Sequence, residues 1–497
     1  MLPLKILITV VNILIMVFVI VPVLSITFIP LAIYRWFISI LAKIIRPDFI
    51  SIVSSRDSVF ANDTVCTNPN STIVICAFFE GDANLETFQR RMFQQLFGGN
   101  VTQSSQHKCA RLMQYFENWG GFVFRKWEEN FDIMNHVREW TNNNREIVTP
   151  QDLYHLRRKL LTEPYQPRRS YWETILVRNY QEAENKPMGS VMIGKFHHGV
   201  LDGFSIIKTI WLSCSNITDV VGAVPHAISK PLTPFQNVAV FTKLFAQFPS
   251  TTINQMPKMD PANIFHPDHP QTKGNLLGKR HPVNAVMSVK IVKDAAKRSG
   301  TLFTAVVMAG LTGGIRNYLM SKKLDVPQSI DATIPLPWPG HHILKLKNHF
   351  TFATFELATG ISDNERRLQD LNDQFVRLKQ SSVPAYNYVI TFLAGMLPNP
   401  AMSFVLEGAP TSILLSTIPG PNRPLDIFDH PLTQSPTFEG GYGKGPVGMG
   451  VAFLSCGESL SITVSPDEGV IPSLEDAKKL LECIISEIQL IHDSSVV

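Results

Sequence analysis

At 497 residues the chain is long enough for two cores, which makes a cleft between two halves a reasonable place for a site. Formal net charge is only +4, and no stripe of lysine and arginine interleaved with aromatics is present, which argues against nucleic acid as a partner. Hydrophobic residues make up 45% and charged residues 17%, a balance that points to lipid contact in addition to a core.

No charged residue occurs from Ile6 to Tyr34, a run of about 29 positions where about 20 suffice to cross the hydrocarbon core as a helix. The run continues through Pro22 and Pro30 into Trp36-Phe37-Ile38, so it reads as an uncleaved transmembrane segment. It is either one kinked helix or a helix followed by an interfacial one from about Trp36 to Ile45. Arg35, Lys43, Arg46 and Arg56 follow the run and only Lys5 and the terminal amine precede it. That bias predicts a single-pass protein with a cytosolic body, the endoplasmic reticulum being the expected membrane. Cys66, Cys76, Cys109, Cys214, Cys456 and Cys483 are scattered without a Cys-x-x-Cys pair, so buried free thiols are expected and no metal site. Glycosylation acceptors at Asn62, Asn70, Asn100 and Asn216 would matter only for a lumenal body and pull weakly against this placement.

The body opens with the β-branched run Ser71–Phe79, a buried strand, followed by helical spacing of Leu85, Phe88, Met92 and Leu96. Thr149 with Pro150 and Asp152 marks a helix start, running to about Leu161. Tyr171–Arg178 and Val191–Phe196 read as strands. From about Val221 to Pro282 periodicity is weak and prolines are frequent, so this stretch is a long crossover, with an apolar patch at Phe235–Phe248. Ala285–Ile291 then alternates as a strand, followed by helices at about Lys293–Arg298 and Phe303–Leu319. In the second of these, Gly310, Gly313 and Gly314 allow close approach to a neighbour, at about 1 kcal/mol each of helix propensity. Further strands are expected at Ala332–Leu336, His349–Leu357, Ser412–Ile418 and Ser459–Val464. Helices are expected at Ser362–Leu378 and, opened by Ser473 with Asp476, to about Ile491. The fold class is α/β with mixed sheets. The expected organisation is an anchor and interfacial segment (1–46), a first half (57–220), a crossover (221–284) and a second half (285–497).

The strand Val191–Phe196 delivers Lys195-Phe196-His197-His198-Gly199-Val200-Leu201-Asp202-Gly203. Taken alone, the His pair reads as satisfied imidazoles at a strand end with Asp202-Gly203 as a turn. A metal reading with His198 and Asp202 lacks a strong third ligand nearby. A catalytic reading makes one imidazole a general base, because its ordinary pKa lies near working pH, and strand alternation lets only one of the two neighbours enter a given cleft.

His197-His198-Gly199-Val200-Leu201-Asp202-Gly203 resembles the His-His-x-x-x-Asp-Gly motif of acyl-CoA-dependent acyltransferases with the chloramphenicol acetyltransferase-like fold. Within that group the chain most resembles the wax ester synthase/diacylglycerol acyltransferase family. Arg169-Ser170-Tyr171-Trp172-Glu173, Phe131-Asp132 to His136-Val137-Arg138, Ser299-Gly300-Thr301, Tyr318-Leu319, and Ile418-Pro419-Gly420-Pro421 with Pro424-Leu425 are similar to family segments in the same order, over about residues 57 to 492.

The resemblance implies two chloramphenicol acetyltransferase-like halves and a reaction without a covalent enzyme intermediate. His198 takes the proton of an alcohol attacking the thioester of an acyl-CoA, with His197 supporting it and Asp202 structural and turned from substrate. Gly203, Trp172, Thr417, Pro419 and Gly420 are the implied substrate-binding positions. The implied partners are acyl-CoA, a fatty alcohol or diacylglycerol, and a membrane. No metal or organic cofactor is implied, since acyl-CoA is itself activated. The chain departs from the family pattern at Thr417, at Phe303-Thr304 and at Ser170-Tyr171. These departures motivate two alternatives: an acyltransferase for another acceptor such as a sterol, and a lipid or acyl-CoA binding protein of the same fold.

Overall fold

The computed structural model describes residues 2–98, 109–142, 146–207, 230–255, 263–266, 276–341, 346–407, 412–423, 425–441 and 447–494. Asn100, Cys214, Asn216 and Pro424, and most of the crossover flanks, lie outside these residues.

The apolar N-terminus is helical over Leu2–Ile15, passes through a π-helical turn at Met16–Ile20, and continues as Val21–Ile45. Pro22 has no N–H to donate into the preceding turn, and the widened turn falls just ahead of it. Over Leu4–Ile45 this is a helix long and apolar enough to cross a membrane. Trp36–Ile45 is part of the same helix, with Ile38 and Ala42 buried against Phe49, Phe122 and Phe124.

The first half contributes β1 (Phe49–Ile52), β2 (Thr72–Glu80), β3 (Gln114–Trp119), β4 (Phe122–Trp127), β5 (Val137–Trp140), β6 (Trp172–Tyr180) and β7 (Gly189–His197). The second contributes β8 (Val283–Ser288), β9 (Ile330–Pro337), β10 (Phe350–Leu357), β11 (Ile413–Pro419), β12 (Asp426–Ile427), β13 (His430–Pro431), β14 (Thr437–Gly441), β15 (Met449–Cys456) and β16 (Ser459–Pro466). Two large mixed sheets result. One has the order β14-β2-β7-β6-β5, the other β10-β9-β11-β15-β16-β8, and β1-β4-β3 form a small third sheet. The α/β class with mixed sheets thus holds.

Residues Thr72 to Phe79 of β2 are all buried, as their β-branched run requires. The helix Pro150–Thr162 carries a full capping box between Thr149 and Asp152. In Leu474–Ser494, Ser473 Oγ accepts from Asp476 N at 3.0 Å. The glycines of Phe303–Ser321 face that helix: a Cβ on Gly314 would stand 2.5 Å from Ile484 Cα, and one on Gly310 2.2 Å from Ile488 Cγ1. Close helix packing is therefore what those glycines provide.

Three expectations need correction. Val289 to Ile291 are helical, because Ser288 accepts from Lys290 N and starts the helix Val289–Ser299 there. The crossover holds a 21-residue helix, Pro234–Asn254, opened by a capping box between Thr233 and Gln236. Finally β14, from the segment read as the second half, pairs with β2 in the first sheet. Its Glu439 meets the buried guanidinium of Arg157, whose Nη1 also donates to Asn284 Oδ1 of β8 at 2.6 Å, so one arginine joins both halves.

Candidate active site

β7 ends at His197, paired with Thr72 of β2. The two histidines then part company. His197 is fully buried, its Nε2 2.9 Å from Asp63 Oδ2, while its Nδ1 accepts from Gly199 N at 3.2 Å. Because Nδ1 accepts, the proton sits on Nε2 and faces the carboxylate, so this ring has no lone pair left for chemistry. Tyr165, Tyr171 and Phe116 surround it edge-on.

His198, one residue past the strand, turns the other way. Its N–H donates to Ser71 O at 2.7 Å and its carbonyl accepts from Asn348 Nδ2 at 2.8 Å, which fixes the backbone. The half-buried ring stacks on Phe60, centroids 4.2 Å apart and planes at 19°, with Phe350 at 5.5 Å. Burial among these rings pushes the imidazole below its ordinary pKa of 6.5, against the opposing pull of the Asp202 carboxylate and Asn348. His198 Nδ1 and Asn348 Oδ1 are both buried without a hydrogen-bond partner.

Asp202 does not face His198. Its Oδ1 accepts from Ser205 N at 2.8 Å and caps the helical turn Gly203–Ser205, while Oδ2 accepts from His349 N at 3.0 Å and lies 2.9 Å from His341 Nε2. Burial opposes the charge, but His341 and these N–H donors hold the carboxyl at about 2. The motif aspartate therefore bolts the first half to the His341–His349 segment of the second. Asp202→Ala should cost about 2–4 kcal/mol, from the lost cap and the unpaired donors, measured by denaturant unfolding. Because the pKa is depressed, this contribution is present above the ordinary carboxylate range and lost as pH falls through about 2.

A buried carboxylate supports the site from below. Asp57, on the helix Ser55–Ala61 that also carries Phe60, lies 2.9 Å from both Arg111 Nη2 and Arg125 Nη2. Its Oδ1 accepts from Asn348 N at 3.2 Å and Asn348 Nδ2 at 3.0 Å. Burial alone would raise this carboxyl, but the two guanidiniums hold it well below the carboxylate range, and burial lowers Arg125 to about 10. Asn348 thus joins Asp57 to the carbonyl of His198.

An open groove of about 850 Å³ runs over β9 and β10. Phe350 packs edge-on against Phe352 at 5.0 Å, and Phe352 lines the groove with Thr333, Thr354, Asn387 and Ile390. Asp331, Glu356 and Asp370 stand on its wall with Arg377.

The remaining sequence-derived positions divide. Gly203 meets the second half: a Cβ there would stand 3.0 Å from Phe438 Cε2 and 3.6 Å from Ile418 Cδ1. Gly420 N donates to Ser455 O at 2.9 Å, and a Cβ on Gly420 would stand 2.1 Å from that oxygen. Thr417 and Pro419 are half-buried on β11, opposite Phe453 and Ser455. Trp172 lies inside the first core, stacked between His136 at 4.8 Å and Phe196 at 6.4 Å, its Nε1 donating to Leu112 O at 2.7 Å. Phe303 packs against the second core. Asp57, Phe60, His341, Asn348 and Phe350 were not anticipated; each is a single residue brought in from a distant segment, with no local pattern around it.

The WS/DGAT C-terminal domain family model matches residues 346–492. The wax ester synthase/diacylglycerol acyltransferase from Marinobacter aquaeolei VT8 has a similar structure: TM-score 0.59, 16% identity, covering 89% of this chain and 100% of that one. The starter condensation domain of rhizomide synthetase, solved in complex with C8-CoA, gives TM-score 0.57 at 11% identity, over 92% of this chain and 97% of that one. Trichothecene 15-O-acetyltransferase from Fusarium sporotrichioides gives 0.56 at 11% identity, over 89% and 95%. No curated protein sequence matches the chain. At these identities the structural likenesses show the fold; with the matched C-terminal segment, they support the resemblance to the wax ester synthase/diacylglycerol acyltransferase family and an acyltransferase.

Proposed function

We propose that the protein, whose segment 346–492 matches a WS/DGAT C-terminal domain, is a membrane-held O-acyltransferase that moves a long-chain acyl group from acyl-CoA to a fatty alcohol, diacylglycerol or both. The observation that carries the reading is the asymmetry of the His pair: one imidazole locked by Asp63 and Gly199, the other held by its backbone and stacked on Phe60 with its pKa lowered.

In this reading His198 takes the hydroxyl proton as the alcohol oxygen attacks the thioester carbonyl. The tetrahedral oxyanion collapses, the carbon–sulfur bond breaks, and coenzyme A leaves as the thiolate, to which the proton on His198 can return. The ester and free coenzyme A are the products, with no covalent enzyme intermediate. Acyl-CoA brings its own activation, so the reading calls for no metal or organic cofactor. The acidic wall of the groove disfavours the phosphates of coenzyme A and suits a neutral acceptor, which makes the groove beside Phe352 the acceptor side. The apolar N-terminal helix keeps the body beside a membrane that dissolves such acceptors.

A base with a lowered pKa stays neutral to lower pH. The acid limb of kcat/KM for alcohol-dependent thiol release should therefore fall below 6.5, the ordinary histidine value. A limb above that value, or thiol release that does not depend on added alcohol, would contradict the assignment.

A further inference from the structure

The helix Pro234–Asn254 leaves an apolar face uncovered. Phe235, Val238, Phe241 and Phe245 follow one another at helical spacing along one side and are 82%, 64%, 40% and 39% exposed; Ile253, at 67%, extends the row. Gln236, Lys243 and Gln247 form a separate exposed polar row, and Lys243 Nζ donates to Gln380 O. The third side, with Leu244 and Phe248, packs on Tyr386 and on Met16.

That last contact decides what covers the apolar face. Met16 belongs to the N-terminal helix, of which only 11% is buried over its most apolar window, and Asn12 Nδ2 donates to Ser250 Oγ at 2.6 Å. The crossover helix is thus seated directly on an element that is otherwise mostly uncovered and is long and apolar enough to cross a membrane. A second exposed pair, Phe404 at 81% and Val405 at 50% on Asn399–Glu407, lies near the other end of the same helix. There Tyr34 Oη donates to Gly120 O at 3.3 Å and Asn399 N donates to Gly121 O at 2.8 Å. Apolar surface therefore continues from the N-terminal helix onto the body at both ends.

We propose that Pro234–Asn254 is itself membrane-embedded, lying in the interface with Phe235, Val238, Phe241 and Phe245 among the lipid acyl chains. Its last residue Asn254 and the following Gln255 border the groove lined by Phe352, whose ring packs on Phe350, the neighbour of the His198 ring. An acceptor lipid then enters sideways from the leaflet beside this helix and need not leave the membrane. The embedding stands on its own observations; only the entry route rests on the acyltransferase reading.

The test uses the full chain in phosphatidylcholine vesicles, with Cys66, Cys214 and Cys483 replaced by serine and a polarity-sensitive dye on a single new cysteine. Dyes on Phe235→Cys and Phe241→Cys should shift to the blue and be quenched by brominated acyl chains, and a dye on Glu475→Cys should not. Equal signals at all three sites in brominated and plain vesicles overturn the embedding, as does shielding of Phe235→Cys by a second copy of the chain. For the route, Phe235→Ser, Val238→Ser, Phe241→Ser and Phe245→Ser combined should raise KM for a vesicle-borne acceptor by roughly tenfold, and much less for the same acceptor in detergent micelles. Quenching without that kinetic split keeps the embedding and overturns the route.

Discussion

His198→Ala should reduce acyl transfer by about 10²–10⁴-fold, the range a general base contributes, while thermal unfolding shifts little. The ring is half-buried and its hydrogen bonds to Ser71 and Asn348 are made by backbone atoms, so removing the imidazole mainly costs the stack on Phe60. The neighbouring variant separates the roles. His197→Ala leaves Asp63 Oδ2 without its imidazole and opens a cavity among three aromatic rings, so its loss should appear first in stability. A His198→Ala protein that turns over normally, or that is inactive only because it is unfolded, contradicts the assignment of the base.

Asp57→Ala should destabilise the protein by about 3–5 kcal/mol, because it removes a buried carboxylate, strands two half-buried guanidiniums and frees Asn348. Asp57→Asn keeps the volume and some of the hydrogen bonds but not the charge, and should fall between. The carboxyl is held below the usual range, so its stabilisation is present at neutral pH and is lost only as the solution becomes strongly acidic. The pH dependence of unfolding on the acid side should therefore flatten in Asp57→Asn. Activity in that variant should drop through the slackened Asn348 link to the His198 carbonyl, with the acid limb of the rate profile moving. A variant as stable as the parent would show that Asp57 is not the support described.

How much of this was legible in the sequence depends on whether the signal was local. Thr149 with Asp152, and Ser473 with Asp476, announced helix starts because a cap is a contact between residues three apart. β2 and β7 were readable from burial on both faces, and the glycines of Phe303–Ser321 from their spacing. The hairpin of β3 and β4 also carries a local mark, Gly120-Gly121, both with positive φ, between two aromatic-rich runs. β14 had no such mark. Thr437-Phe438-Glu439-Gly440-Gly441 has little strand propensity and becomes a strand only because β2 offers an edge across the two halves.

The site divides in the same way. The motif from His197 to Gly203 is contiguous and could be singled out, and alternation already made its histidines unequal. His341 meets Asp202 across 139 positions and Asn348 meets Asp57 across 291, distances over which one sequence holds no record of contact. Trp172 illustrates the opposite case. Its neighbourhood resembles a family segment, yet its place is the first core, where it stacks on His136 and braces β6 against β7.

The central claim is that an alcohol and an acyl-CoA meet at His198. It is tested most directly by incubating the full-length protein in vesicles with labelled long-chain acyl-CoA and, in turn, fatty alcohol, diacylglycerol and sterol, then quantifying labelled ester against released thiol. The account predicts labelled ester with fatty alcohol or diacylglycerol, one thiol per ester formed, and loss of both in His198→Ala. Acyl-CoA that binds but yields no ester with any of the three acceptors would contradict it.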